Sequence, residues 1–133
     1  MTFEESIEIA KPPEVVWALV RDLERAPEWQ DSLLSVDIQT GTEVRQFAGR
    51  QQAATFVVTE DDPPRRLVIT SDGGPAYARA TFELAQAGDG TRVELTLDLQ
   101  LHGAAKLAGG LVKGAVHRET RENLERLKEL CER

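Results

Sequence analysis

The sequence predicts an α+β fold in which a curved antiparallel sheet packs against one long C-terminal helix. Between Leu34 and Leu101, apolar and polar residues alternate in successive short segments, as they do in half-buried strands. From about Ala104 to Glu132 the chain is rich in Glu, Lys, Arg and Leu, which favours one helix. Consecutive strands with short connections pair antiparallel, and a helix covering one face buries the apolar side of the sheet.

The first elements are a strand and two short helices. Apolar residues alternate from Thr2 to Ala10, and two prolines follow. Pro13 suits the first turn of a helix, which we expect to end near Asp22. One face of this helix is apolar and contains Val16, Leu19, Val20 and Leu23. A second, shorter helix is predicted at Ala26–Trp29, because Pro27 blocks continuation of the first.

About six further strands follow, and Pro, Gly and Asp mark the turns between them. We place these strands around residues 34–38, 44–47, 54–58, 67–69, 76–84 and 93–101. The alternation is cleanest from Val93 to Leu101, where every odd-numbered residue is apolar. We therefore predict that this strand lies inside the sheet and turns its odd-numbered residues toward the long helix.

Composition limits the classes of function. The 133 residues predict a single domain, residues 1–133, with 41% hydrophobic and 29% charged residues as in ordinary globular proteins. A net charge of -7 argues against nucleic-acid binding, which depends on clustered Lys and Arg. No apolar run approaches the roughly 20 residues that span a bilayer, so no membrane insertion is expected.

The N-terminal segment and the single cysteine predict a cytoplasmic protein. The acidic start Met1–Glu5 does not resemble a signal peptide, which needs a basic start before an apolar stretch. Cys131 cannot form an internal disulfide, because it is the only cysteine.

His102 and His117 have no Cys or His at metal-ligand spacing, and phosphate-binding and dinucleotide motifs are missing. We expect neither a metal nor a cofactor.

Two patterns indicate space inside the fold. Ala76, Ala78 and Ala80 share a strand face with Phe82 and Leu84. Alanine fills little volume and is a poor strand former. Three alanines on one face therefore predict either a helix pressed closely onto the sheet or a hollow in front of it.

The long helix has a polar break in its apolar face. Leu107, Leu111 and Ala115 share a face early in the helix. A second apolar group follows later and contains Leu124, Leu127 and Cys131. Glu119 lies between the two groups. Its carboxylate either rotates to the helix edge to pair with Arg118 or Arg79, or makes a polar contact inside a pocket.

The tryptophans complete the set of candidates. Trp17 is expected to hold the first helix against the sheet, whereas Trp29 lies beside the expected cavity mouth and could stack on a ligand. The candidate cavity-lining residues are Trp29, Phe56, Ala78, Ala80, Leu97, Leu111, Ala115 and Glu119.

Several segments carry a resemblance that spans essentially the whole chain: Ile7–Ile9, Pro12–Asp22, Ala26–Trp29, Pro63–Leu67, Gly90–Val93 and Asn123–Lys128. Their order and spacing resemble the polyketide cyclase/dehydrase-like branch of the START/Bet v 1 (SRPBCC) superfamily. The resemblance implies a helix-grip fold, with a curved seven-stranded antiparallel sheet around a long C-terminal helix and two short helices between strands 1 and 2. It also implies a deep cavity between the sheet and the C-terminal helix.

Members of that superfamily bind lipids, sterols, hormones, polyketides or quinones, and some are cyclases, dehydratases or hydrolases. The first hypothesis is therefore a binding or carrier protein for a small hydrophobic molecule. The alternative is a polyketide cyclase or dehydratase in which a polar residue such as Glu119 moves protons. A third class is a regulatory domain that binds a protein partner. No cyclase catalytic constellation maps onto the sequence residue by residue.

Overall fold

The computed structural model describes residues 1–47 and 49–133. Its elements are, in order, β1 (Thr2–Ile9), α1 (Pro13–Arg21), a first 3-10 helix (Leu23–Glu28), β2 (Leu33–Asp37), β3 (Thr42–Phe47), β4 (Arg50–Asp62), β5 (Arg66–Gly73), β6 (Ala76–Ala87), β7 (Gly90–Leu101), a second 3-10 helix (Gly103–Ala108) and α2 (Gly109–Glu132).

The strands form one antiparallel sheet in the order β1-β7-β6-β5-β4-β3-β2. Strands β2 to β6 each pair with the next along the chain, and β1 joins the sheet at β7. The helix-grip fold is therefore confirmed, including two short helices between the first and second strands. Strand β7 lies inside the sheet as predicted, and its residues Val93, Leu95 and Leu99 are buried.

One end of the layer between sheet and helix is densely packed. The first helix turns Val16 and Trp17 into this core, where they meet Leu124 and Leu127 of α2. Leu127 and Val16 are both 0% exposed. A second core cluster around Phe3, Leu99 and Leu101 packs against Val112 and Val116 of α2. These two clusters hold α2 across the sheet at different points along its length.

The structure corrects the predicted orientation of the first half of the long helix. Leu111 is 84% exposed, and Ala115 is also exposed. An α-helix advances by about 100° per residue, so Leu111 lies roughly 160° around the axis from Leu127, while Val116 lies only about 20° from it. The apolar spacing within residues 107–115 is helical, but that stripe faces away from the sheet. The preceding segment is a separate 3-10 helix rather than part of α2.

Candidate functional site: an internal cavity

A cavity of about 220 Å³ lies between the inner face of the sheet and α2. Its apolar wall comes mainly from β6 and β7 and includes Ala76, Ala78, Ala80, Phe82, Leu97 and Leu99. In the β6·β7 ladder Ala78 pairs with Leu99, and Ala80 pairs with Leu97. Because directly paired residues point to the same side of a sheet, the small and large side chains form neighbouring rows on one face. The alanine row leaves space that larger side chains would fill.

The polar wall is organised by Arg45 of β3. Its Nε donates to Oε2 of Glu43 at 2.8 Å, and its Nη1 donates to the Ser32 hydroxyl at 3.1 Å. Its Nη2 donates to Oε1 of Gln30 at 3.1 Å. Glu43 is only 5% exposed, so the ion pair with Arg45 compensates for removal of its carboxylate from water. The guanidinium therefore links β3 to the loop before β2.

Glu119 and Asn123 add the polar contribution of α2. Oε1 of Glu119 accepts a hydrogen bond from the Ser32 backbone N–H at 2.8 Å, and Oδ1 of Asn123 accepts one from the Asp31 N–H at 3.1 Å. Both side chains border the cavity. The alternative in which Glu119 turns to the helix edge to pair with Arg118 or Arg79 is therefore not the arrangement found. Glu119 and Asn123 therefore connect α2 to the loop before β2 through hydrogen bonds.

Trp29 forms part of the wall near this polar side. It is 2% exposed, and its ring meets Phe82 edge-on, with centroids 5.9 Å apart and planes at 80°. Its indole Nε1 is buried and has no hydrogen-bond partner among the described residues. A buried N–H without an acceptor is costly and uncommon in native proteins. Trp17 belongs to the same core cluster as Trp29 but does not border the cavity.

The structure brings together five of the eight predicted cavity residues. These five border the cavity: Trp29, Ala78, Ala80, Leu97 and Glu119. Phe56 is half-buried and pairs with Ser71, but it is not part of the wall. Leu111 and Ala115 are exposed on the outside of α2, so the prediction that they line the cavity is wrong.

Sequence reasoning missed most of the polar wall. Glu43 and Arg45 face inward from β3, whereas apolarity alone would place Val44 of the same strand inside. Glu43 and Arg45 are opposite charges two residues apart, and residues at i and i+2 share a strand face. This spacing was the signal in the sequence that the two side chains could pair with each other on one face of β3. Ser32 and Gln30 lie in a loop and carry no such signal.

Other candidate chemistry is sparse in the ranges 1–47 and 49–133. No group of three or more His, Cys, Asp or Glu side chains is arranged to hold a metal ion there. Cys131 is buried in the core, and this burial raises the pKa of its thiol. No helix within the same ranges is both long and apolar enough to cross a membrane.

A seven-stranded sheet curved around a C-terminal helix, with a cavity between them, defines a START-like fold. A family model described as polyketide cyclase/dehydrase and lipid transport matches residues 1–132, and the chain belongs to this family. The resemblance drawn from the sequence is thereby confirmed. A search of curated proteins found no significant match.

Solved structures support the same fold. A START superfamily protein from Mycobacterium smegmatis superposes with a TM-score of 0.85 at 16% identity, covering 98% of this chain and 97% of that one. TTHA0849 from Thermus thermophilus gives 0.83 at 23% identity, with 98% and 97% covered. The ZhuI aromatase/cyclase from a Streptomyces species gives 0.80 at 16% identity, with 100% and 94% covered. At these identities the similarity establishes the fold.

Proposed function

We propose that this protein binds or carries a small hydrophobic molecule in the cavity between the sheet and α2. The observation that supports the proposal is an interior space of about 220 Å³ with an apolar wall on one side and a few polar groups on the other. Ligand sites combine these features, because apolar burial supplies affinity at about 25 cal/mol per Å² and sparse polar groups fix orientation.

The polar groups around the cavity favour a binding role because most of them are engaged in holding the fold. Arg45 connects Glu43, Ser32 and Gln30, and Asn123 accepts hydrogen bonds from two donors. Groups held in this way can orient a bound molecule without moving. They leave few side chains free to act on it.

The experiment compares two Ala→Leu variants on the same strand. Ala80 borders the cavity, while Ala85 is exposed on the outer face of β6. Ala80→Leu should fill the cavity at little cost in stability and weaken binding of the neutral dye N-phenyl-1-naphthylamine by roughly tenfold or more. Ala85→Leu should bind the dye as the parent does.

The opposite outcome has a distinct signature. If the space in front of Ala80 were already filled, Ala80→Leu would overpack the core and cost roughly 1–3 kcal/mol of stability. A destabilised Ala80→Leu variant, together with a parent protein that does not bind the dye, would contradict the proposal.

A second candidate function, a cyclase or dehydratase acting on a polyketide-like substrate, is favoured by one observation. The Glu119 carboxylate borders the cavity and accepts one backbone hydrogen bond, which leaves acceptor positions on it. A carboxylate so placed could move a proton on a bound polyketone. Incubation with a synthetic poly-β-ketone thioester tests this: cyclised product formed by the parent and lost in Glu119→Gln would support the enzyme, and unchanged substrate would exclude it.

A further inference from the structure

We infer that the molecule held in the cavity has an uncharged polar end that donates a hydrogen bond, such as a hydroxyl group, and that the cavity disfavours carboxylate-bearing lipids. This inference rests on the proposed function, because it describes the ligand of the same cavity. It follows from the charges and the unused hydrogen-bonding positions of the polar wall.

The cavity wall carries a net negative charge. Among the residues that the structure describes, three ionisable side chains border the cavity: Glu43, Arg45 and Glu119. Arg45 and Glu43 neutralise each other through the 2.8 Å ion pair. Glu119 forms no ion pair among the described residues, and its described contact is the neutral Ser32 N–H. The wall therefore presents one excess negative charge to a bound molecule.

Arg126 is a cation of α2 that contacts the cavity residue Asn123. Arg126 of α2 donates through Nη2 to Oδ1 of Asn123 at 2.9 Å and lies 3.9 Å from Asp31. It is not part of the cavity wall. Arg126 is therefore directed toward the loop before β2 and does not supply a positive site for an anionic ligand.

Glu119 also has hydrogen-bonding positions that the fold does not use. A carboxylate has about four lone-pair positions, and Glu119 uses one of them on the Ser32 N–H. The unused positions accept hydrogen bonds, so they complement a ligand donor. A hydroxyl is complementary to these acceptor positions, because it donates a hydrogen bond and carries no charge.

The charge of the wall and its unused acceptor positions together distinguish between ligand classes. A ligand carboxylate near Glu119 would leave two like charges facing each other in a partly dehydrated space, and neither could donate a hydrogen bond to the other. A hydroxyl in the same place meets no charge repulsion and satisfies the unused acceptor. The cavity therefore selects for alcohols or phenols over carboxylate anions of the same chain length.

The experiment measures displacement of N-phenyl-1-naphthylamine by 1-decanol, decyl methyl ether and decanoate at pH 7.5. Decanol and decanoate differ in hydrophobicity, so the quantity compared between proteins is the ratio of their dissociation constants. Glu119→Gln keeps the side-chain shape and removes the charge. We expect Glu119→Gln to strengthen decanoate binding relative to decanol binding by roughly tenfold, the usual size of a lost charged hydrogen bond. Glu119→Gln should also shift the ratio of decanol to ether dissociation constants in favour of the ether, because the ether lacks the donor that pairs with the carboxylate.

The matched control is Glu122→Gln, because Glu122 is exposed on the same helix and its replacement changes the net charge equally. Its ratio should stay within about twofold of the parent ratio, since solvent and salt screen an exposed charge. Glu43→Gln provides a second test if Glu119→Gln does not fold. It should shift the ratio in the same direction, because it releases Arg45 from its ion pair.

The outcomes separate the inference from the proposed function. A parent protein that does not bind the dye would overturn both. Dye binding, with equal decanol-to-decanoate ratios in the parent and in the folded wall variant, would overturn the inference and leave the carrier function standing. An equal shift in Glu122→Gln would also overturn it, because the effect would then come from overall charge.

Discussion

Two leucines of α2 offer a direct test of which face of this helix packs on the sheet. Leu127 is 0% exposed and lies in the main core, whereas Leu111 is 84% exposed. Replacing each by alanine makes the same chemical change in opposite environments. The comparison therefore isolates burial from any general effect of a Leu→Ala substitution on the helix.

The expected magnitude follows from the burial. Leu127→Ala removes three buried carbons, worth about 0.8 kcal/mol each, and leaves a void that adds to the loss. We expect a loss of about 3 kcal/mol in the free energy of unfolding. For 133 residues the unfolding entropy is about 0.28 kcal/mol per kelvin, so Tm should fall by roughly 10 °C. Leu111→Ala should change stability by less than about 0.5 kcal/mol.

Urea denaturation followed by circular dichroism at 222 nm measures both variants. The dependence of the unfolding free energy on urea should stay the same, so that the shift in midpoint reports stability alone. The described orientation of α2 would be refuted if Leu111→Ala cost more than about 1 kcal/mol while Leu127→Ala cost less.

Two further predictions concern titratable groups near the end of α2. Burial raises the pKa of the Cys131 thiol above its ordinary value of 9.0. The stability that comes from keeping this thiol protonated in the folded state is therefore complete below pH 9.0 and declines as the pH rises further. Reaction with Ellman's reagent at pH 8 should be slow in the native protein and fast in urea, and fast labelling of the native protein would contradict this. Hydrogen bonds from the Ala10 N–H and Lys128 lower the pKa of Glu132 below 4.5, so its contribution is present above pH 4.5 and is lost as the pH falls through the lowered value. Glu132→Gln should therefore reduce the difference in urea midpoint between pH 7 and pH 3, and an unchanged difference would count against the contact.

The sequence by itself determined the sheet and much of the apolar wall. Alternation in β6 and β7 is a local property, because side chains point to opposite faces at every step along a strand. It therefore placed Ala78, Ala80 and Leu97 on one inner face without knowledge of the rest of the fold. The order of strands and helices, together with the family resemblance, supplied the architecture.

Only the tertiary structure decided which face of the first half of α2 points inward and how the polar wall is assembled. The stripe containing Leu111 has helical spacing, but spacing cannot show which of two apolar faces the sheet will cover. The polar wall joins Ser32, Arg45 and Glu119 from three separate parts of the chain. Whether a buried charge is satisfied depends on partners distant in sequence, and folding alone brings those partners within hydrogen-bond distance.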